Sequence, residues 1–360
     1  MKPILVWMLI FSGLFLSSVV FAENHWSPCK EFVDKMEYRA AIRACNSTIQ
    51  KSHDNHILAA AHFNRGIAYQ ATGRLDQAIQ DYSKAIALDP KNDKAFYRRG
   101  LVHHLKRDFT LAVVDYNKAV EINPGSEIYY YYRGLACQAT GNISQAVSDY
   151  SKAIELSPGD DKAYYNRGTA HQANGETGLA ISDYTKALEI NPRGEDAYFG
   201  RAFAYQTKGD LDKAISDYGK AAELNPRNSQ AYFNRGILYQ SQGNLEKALS
   251  DYSKAAGLDP QNDKIYYNRG TAYQLKGDLD RALSDYNKAA KLNPQSRLAY
   301  YGMAAAYSLK NKKKEACKWF TKSLELGLKK GDVDWGFIAK DPSLKNIRQT
   351  PCYERMMPQK

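Results

Sequence analysis

Three hundred and sixty residues accommodate two or three globular domains or one long repeat array. With 44% hydrophobic, 25% charged and 12% aromatic residues, the chain has the apolar material for a core, which excludes wholesale disorder. Fifty basic against 39 acidic residues leave a net charge of +11, which points toward an anionic neighbour.

Residues 1–22 read as a signal peptide. Lys2 supplies a positive start, Ile4 to Val20 are almost all apolar, and Val20-Phe21-Ala22 places small residues at a cleavage site, leaving Glu23 as the mature N-terminus. The rival reading is an uncleaved membrane anchor, which Ser12, Gly13, Ser17 and Ser18 weaken. No other stretch of the sequence is apolar enough to span a bilayer. The mature chain is therefore expected to be exported, to the periplasm or alternatively to the medium, or held by that N-terminal segment.

From Ala59 a 34-residue ruler governs the sequence through Lys330, giving eight units. Pro90, Pro124, Pro158, Pro192, Pro226, Pro260 and Pro294 fall at its position thirty-two. Position twenty is Ala78, Ala112, Ala146, Ala180, Ala214, Ala248, Ala282 and Ala316; position eight is Gly or Ala throughout; position twenty-four is Tyr in seven units and Phe320 in the eighth. Each unit reads as two short helices. In the first, Phe63, Ile67 and Ala71 mark one apolar stripe before the turn at Gly73, and Leu75, Ala78, Ile79, Tyr82, Ile86 and Leu88 mark a second that Pro90 ends.

These residues resemble the tetratricopeptide repeat: aromatic at four, Gly or Ala at eight, Ala at twenty, aromatic at twenty-four, Ala at twenty-seven, Pro at thirty-two. The resemblance implies an all-α fold, a right-handed α-solenoid superhelix of eight helix-turn-helix repeats (59–330) with a concave groove, flanked by an N-terminal partial repeat (23–58) and a C-terminal helical cap (331–360). The eighth unit departs from the pattern at Asn311, Ser323 and Leu328, as a worn terminal repeat should. The family register also places Cys29 and Cys45 at slots where the two helices of a repeat touch; a disulfide and two free core thiols are both open readings. A bridge between Cys317 and Cys352 would pin the tail, in which Trp335, Phe337, Ile338, Leu344 and Ile347 supply packing surface.

One departure is systematic. Position seven, commonly leucine, is Arg65, Arg99, Arg133, Arg167, Arg201, Arg235 and Arg269, while position twenty-three is Asp81, Asp115, Asp149, Asp183, Asp217, Asp251 and Asp285. Both change together in the eighth unit, to Met303 and Trp319. Joint loss within one chain predicts direct Arg–Asp contact between the two helices of a unit.

The resemblance further implies that positions two, five, nine, twelve and thirteen line the groove. Position five is Phe63, Tyr97, Tyr131, Tyr165, Phe199, Phe233, Tyr267 and Tyr301; position twelve is Gln70, Gln138, Gln172, Gln206, Gln240 and Gln274, broken by His104 and Ser308. Glutamine offers a donor and an acceptor to an extended peptide, and rings grip its side chains. The competing reading gives the rings to helix packing and the glutamines to helix propensity. The expected function is a non-catalytic scaffold or adaptor that binds a protein or peptide partner in its groove, in assembly of bacterial envelope complexes.

Enzymatic chemistry has no constellation here, and no cofactor is called for. His103 and His171 occupy position eleven, a core slot, and His53 with His56 lacks a third metal ligand. Residues 297–360 hold 14 basic and six acidic residues, so this end carries +8 of the net charge. Lys310, Lys312, Lys313 and Lys314 therefore define an alternative, a secreted or surface factor contacting anionic envelope or host polymers. Nucleic acid fits poorly, because no base-reading module accompanies the charge.

Overall fold

The computed structural model describes residues 28–327 and 339–356. The leader-like residues 1–22 and the tail residues Leu328, Trp335, Phe337 and Ile338 lie outside the described residues. Two compact units divide between Glu176 and Thr177. The first holds α1 (Pro28–Asp34), α2 (Tyr38–Lys51), α3 (Asn55–Ala71), α4 (Leu75–Leu88), α5 (Asp93–Leu105), α6 (Phe109–Ile122), α7 (Glu127–Ala139), α8 (Ile143–Leu156) and α9 (Asp161–Ala173). The second holds α10 (Thr177–Ile190), α11 (Glu195–Lys208), α12 (Leu211–Leu224), α13 (Ser229–Ser241), α14 (Leu245–Leu258), α15 (Asp263–Leu275), α16 (Leu279–Leu292), α17 (Arg297–Leu309), α18 (Lys313–Glu325), a 3-10 turn (Pro342–Leu344) and α19 (Pro351–Met356). Among the described residues regular structure is helical throughout, and the fold is a repeating helix-turn-helix solenoid.

The 34-residue punctuation explains the helix ends. Second helices stop two residues before the proline, as at Leu88 and Leu258. Asn92, Asn228 and Asn262 then cap the next first helix, their side chains accepting from Ala95, Ala231 and Lys264 backbone N–H groups. The turn inside a unit needs a left-handed residue, which Gly73 supplies at φ +76°. Arg107 and Asn311 hold the same slot with φ of 65° and 59°, a conformation that costs a side-chain-bearing residue more.

Within each unit of the molecule the second helix packs on its own first helix and on the first helix of the next pair. The tyrosine at position twenty-four is the centre of this contact: Tyr82, Tyr116, Tyr150, Tyr218 and Tyr252 are fully buried. A Cβ at Gly66, Gly100 or Gly236 would stand 2.7–2.8 Å from the facing ring, so only glycine admits that approach.

The Arg–Asp contacts are bidentate. Arg99 donates from Nε and Nη2 to Asp115 at 2.9 and 2.7 Å, and Arg133 does the same to Asp149. Arg65–Asp81, Arg201–Asp217, Arg235–Asp251 and Arg269–Asp285 repeat the fork. Burial pushes the Asp81 carboxyl up, but Arg65 and His62 together outweigh it and hold it below its ordinary value. The guanidinium also caps the position-four ring, as Arg133 does Tyr130 at 5.3 Å.

Its third edge reaches further. Nη1 of Arg99, Arg133 and Arg201 donates to Ser83, Asn117 and Thr185 at position twenty-five of the preceding repeat, at 2.9–3.1 Å. These three arginines thereby tie the two helices of their own repeat to the repeat before it. Gly219 offers no side-chain acceptor at this slot, and Arg235 Nη1 lies 3.2 Å from where its Cβ would stand. In the eighth repeat the clamp becomes an aromatic stack, Trp319 lying on Tyr300 at 5.6 Å and 16°.

Both ends are covered and covalently fastened. Cys29 and Cys45 form a disulfide between α1 and α2, with Cα atoms 4.8 Å apart. Cys317 and Cys352 form a second, 6.0 Å apart, while Cys137 is free and buried. Leu344 and Ile347 are fully buried against Ala305, Ala316 and Phe320, and Tyr301 donates to Asp341. The tail thus covers the exposed edge of the last repeat.

Two outcomes check this account. Asp149→Ala strands a guanidinium whose side chain is only 14% exposed and should cost about 2–3 kcal/mol, with Arg133→Leu added to it restoring much of the loss; chemical denaturation giving strictly additive losses would refute the coupling. Gly219→Ser should stabilise by about 1 kcal/mol, through helix propensity and a new acceptor for Arg235. The other serine-bearing slots already accommodate the guanidinium beside a Cβ, so an unchanged or lowered midpoint would contradict the clamp.

Candidate partner-binding face

Positions five, nine and twelve are one helical turn apart and so share one face of each first helix. The position-five rings lean on the tyrosine at twenty-four of their own repeat: Phe63–Tyr82 and Tyr267–Tyr286 at 5.9 Å, Phe233–Tyr252 at 6.0 Å, Tyr97–Tyr116 and Tyr131–Tyr150 at 6.1 Å. Phe199 sits 5.3 Å from Tyr218. These rings are half-buried, apart from Phe233, which is buried. Tyr165 and Gln172 are likewise half-buried. Tyr301 stands 6.5 Å from Phe320 and is engaged by the tail.

The glutamines are held by the same tyrosines. Tyr82 donates its hydroxyl to Oε1 of Gln70 at 2.8 Å, Tyr150 to Gln138 at 3.0 Å, Tyr218 to Gln206 at 3.0 Å, Tyr252 to Gln240 at 2.8 Å and Tyr286 to Gln274 at 3.1 Å. Burial pushes the Tyr218 phenol up to about 12 and the Tyr82 and Tyr252 phenols higher still. All therefore remain donors at physiological pH. With the carbonyl turned inward, the NH2 is the outward end of each amide, and among the described residues Nε2 of Gln206, Gln240 and Gln274 meets no protein acceptor. The tyrosine hydroxyl takes one of the two acceptor positions of each glutamine carbonyl and fixes the direction of the amide.

The breaks in the row carry the complementary signature. His104 replaces glutamine in the second repeat, and there the buried Tyr116 hydroxyl and His104 Nδ1 have no partner. In the eighth repeat Ser308 replaces glutamine and Phe320 replaces tyrosine, so donor and acceptor disappear together. That joint loss is readable in the sequence, as the Arg–Asp loss is, although the repeat pattern offers the glutamines only to a ligand or to helix propensity.

Position nine supplies a residue that the sequence pattern did not single out. Phe203 keeps 43% of its surface exposed, whereas Ile237 and Thr271, at the same position of the next two repeats, are half-buried. Asn234 at position six is spent internally, donating to the Tyr218 hydroxyl and accepting from Gln230. In the second unit, repeats five to seven thus present Phe203 and three outward amides as an uninterrupted array.

Of the basic cluster, Lys310 is paired with Asp280, while Lys312, Lys313 and Lys314 are exposed around the N-terminus of α18. Burial lifts the Cys137 thiol to about 11, which makes it a poor nucleophile. Among the described residues no group of three His, Cys, Asp or Glu could hold a metal ion.

The sequence matches the Tetratricopeptide repeat family at residues 59–92, 93–126, 161–193, 229–262 and 263–296, with further matches to TPR repeat at 138–175 and 207–243 and to Tetratricopeptide repeat at 183–216. No curated relative matches the chain. Among solved structures it is similar to the C-terminal part of a TPR repeat-containing protein from Cytophaga hutchinsonii (22% identity, TM-score 0.57, 67% of this chain and 97% of that one). A tetratricopeptide repeat protein from Parabacteroides merdae (20%, 0.51, covering 67% and 95%) and pilF of Pseudomonas aeruginosa (18%, 0.51, covering 57% and 94%) share the fold. With the repeats, the helix pairs and these matches in hand, the chain belongs to the tetratricopeptide repeat family and is a protein–protein interaction scaffold.

Proposed function

We propose that this protein is an exported adaptor that holds an extended segment of a partner protein on the first-helix face of repeats five to seven, in the assembly of envelope complexes. The observation that carries the reading is the fixed row of outward amides at Gln206, Gln240 and Gln274 beside the exposed Phe203 ring. Donors already oriented by buried hydroxyls lose little freedom on binding, and an exposed ring is a ready anchor. Export is supported by the leader pattern of residues 1–22 and by the two cystines, since such bridges persist in oxidising compartments.

The anchor differs from the ring that the repeat pattern suggests. Phe199 is packed on Tyr218, so its truncation mixes stability with binding. Phe203→Ala removes exposed surface and should leave the melting temperature nearly unchanged. A photo-crosslinking residue at position 203 in expressing cells should trap a discrete partner, which position 254 on the second-helix side should not. Fractionation should find the protein outside the cytoplasm, starting at Glu23, with four of its five cysteines resistant to alkylation until reduced. Trapping from position 254 alone, or a cytoplasmic, fully alkylated chain, would contradict the reading.

A further inference from the structure

The first-helix face of the last repeat is already occupied. On α17, Ala305 at position nine and Ser308 at position twelve keep only 2% and 0% of their surface exposed. In the seven preceding repeats every residue at these two positions is half-buried or exposed. The chain's own tail makes the difference. Tyr301, at position five, donates its hydroxyl to the Asp341 carboxylate, and Asn346 donates to the Ser308 carbonyl at 2.7 Å. Leu344 and Ile347 pack with Ala304, Ala305 and Phe320. Residues 341–347 therefore sit on positions five, nine and twelve, which the other repeats leave at least partly open.

The fit of this segment is incomplete. Ser308 Oγ and Arg348 Nε are buried at the contact with no hydrogen-bond partner among the described residues, and unmet buried groups penalise the closed arrangement. The Cys317–Cys352 bridge offsets that penalty, because a tether keeps the segment at high local concentration over its site. The two bridges of the chain differ in access. Cys29 and Cys45 are fully buried, whereas Cys317 and Cys352 are only half-buried. Thiol–disulfide exchange requires a reachable sulfur, so a dithiol reductant meets the tail bridge first.

We infer that the tail is a redox-latched lid, and that the first-helix face of repeat eight is a further binding surface for a partner segment of the lid's own chemistry. That segment carries an acidic residue followed at the third and sixth positions by aliphatic ones, as Asp341, Leu344 and Ile347 are spaced. A dithiol opens the latch: its thiolate bonds to one sulfur of the Cys317–Cys352 bridge, and the other sulfur leaves as a thiolate. The second thiol of the reductant then closes a disulfide on the first. Two electrons and two protons pass to the protein, which ends with two cysteine thiols. The untethered lid then competes on equal chemistry with the partner, whose carboxylate takes the Tyr301 hydroxyl and whose aliphatic side chains replace Leu344 and Ile347. This surface stands independently of the proposed face on repeats five to seven.

The test uses the full mature chain. Under limiting dithiothreitol, alkylation read by mass spectrometry should label Cys317 and Cys352 at least about tenfold faster than Cys29 and Cys45. A fluorescent peptide copying residues 340–350 should bind the chain carrying Cys317→Ser and Cys352→Ser at least about tenfold tighter than the bridged chain. Adding Leu344→Ser, which weakens the lid, should tighten it by a similar factor again, and Tyr301→Phe should weaken it. If Leu344→Ser lowers helical content, Asp341→Asn weakens the lid in its place. A control peptide with the acid changed to Asn and both aliphatic residues to Ser should not bind. Simultaneous opening of the two bridges, or peptide affinity that ignores the tail bridge, overturns the latch. Equal binding of the control peptide overturns the partner chemistry. No binding to a folded, bridge-free chain with a weakened lid makes the tail a permanent cap and overturns the inference as a whole.

Discussion

The buried tyrosine at position twenty-four is the constraint from which both the packing and the binding face follow. Its ring fills the space that glycine at position eight leaves between two helices, with no room for a methyl group at Gly66, Gly100 or Gly236. The position-five ring rests against it. Its hydroxyl then emerges at the rim of the core and must find an acceptor, since an unpaired buried hydroxyl costs about 1–3 kcal/mol. Glutamine at position twelve meets that need and is itself oriented by doing so. A packing requirement thus fixes the direction of the groups offered to a partner.

A second set of contacts couples successive repeats. Arginine at position seven uses two edges for the aspartate of its own repeat and the third for position twenty-five of the repeat before. The charge is satisfied within the scaffold and is not available to an anionic ligand. Where stacking ends, the whole set of polar devices is withdrawn at once. Met303, Trp319, Ser308 and Phe320 replace arginine, aspartate, glutamine and tyrosine, and the tail covers the resulting apolar edge through Leu344 and Ile347 under the Cys317–Cys352 bridge.

The fold was legible because each structural slot is sampled eight times in one chain, so a requirement shows as an invariant and its removal as a coordinated change. The Arg–Asp pairing was found in that way, from Met303 and Trp319 alone. The same logic applied to Ser308 and Phe320 gives the Tyr–Gln bond, yet a glutamine on a solvent-facing stripe looks complete without an internal partner. The third arginine contact escaped for another reason: serine, threonine, asparagine and glycine at position twenty-five look like ordinary surface variation until a guanidinium is placed beside them. Phe203 broke no rule, because isolated exposed aromatics are common; its meaning comes only from the fixed amides around it.

The face can be read as pre-organised only if the tyrosine hydroxyls truly hold the glutamine amides still. The most direct measurement is the side-chain amide order parameter of Gln240 by NMR, in the wild-type chain and in Tyr252→Phe, where the ring stays and only the hydroxyl goes. The account predicts a restrained Gln240 amide in the wild type, approaching backbone rigidity, that becomes mobile in the variant while backbone order is unchanged. A Gln240 amide equally mobile in both would contradict it.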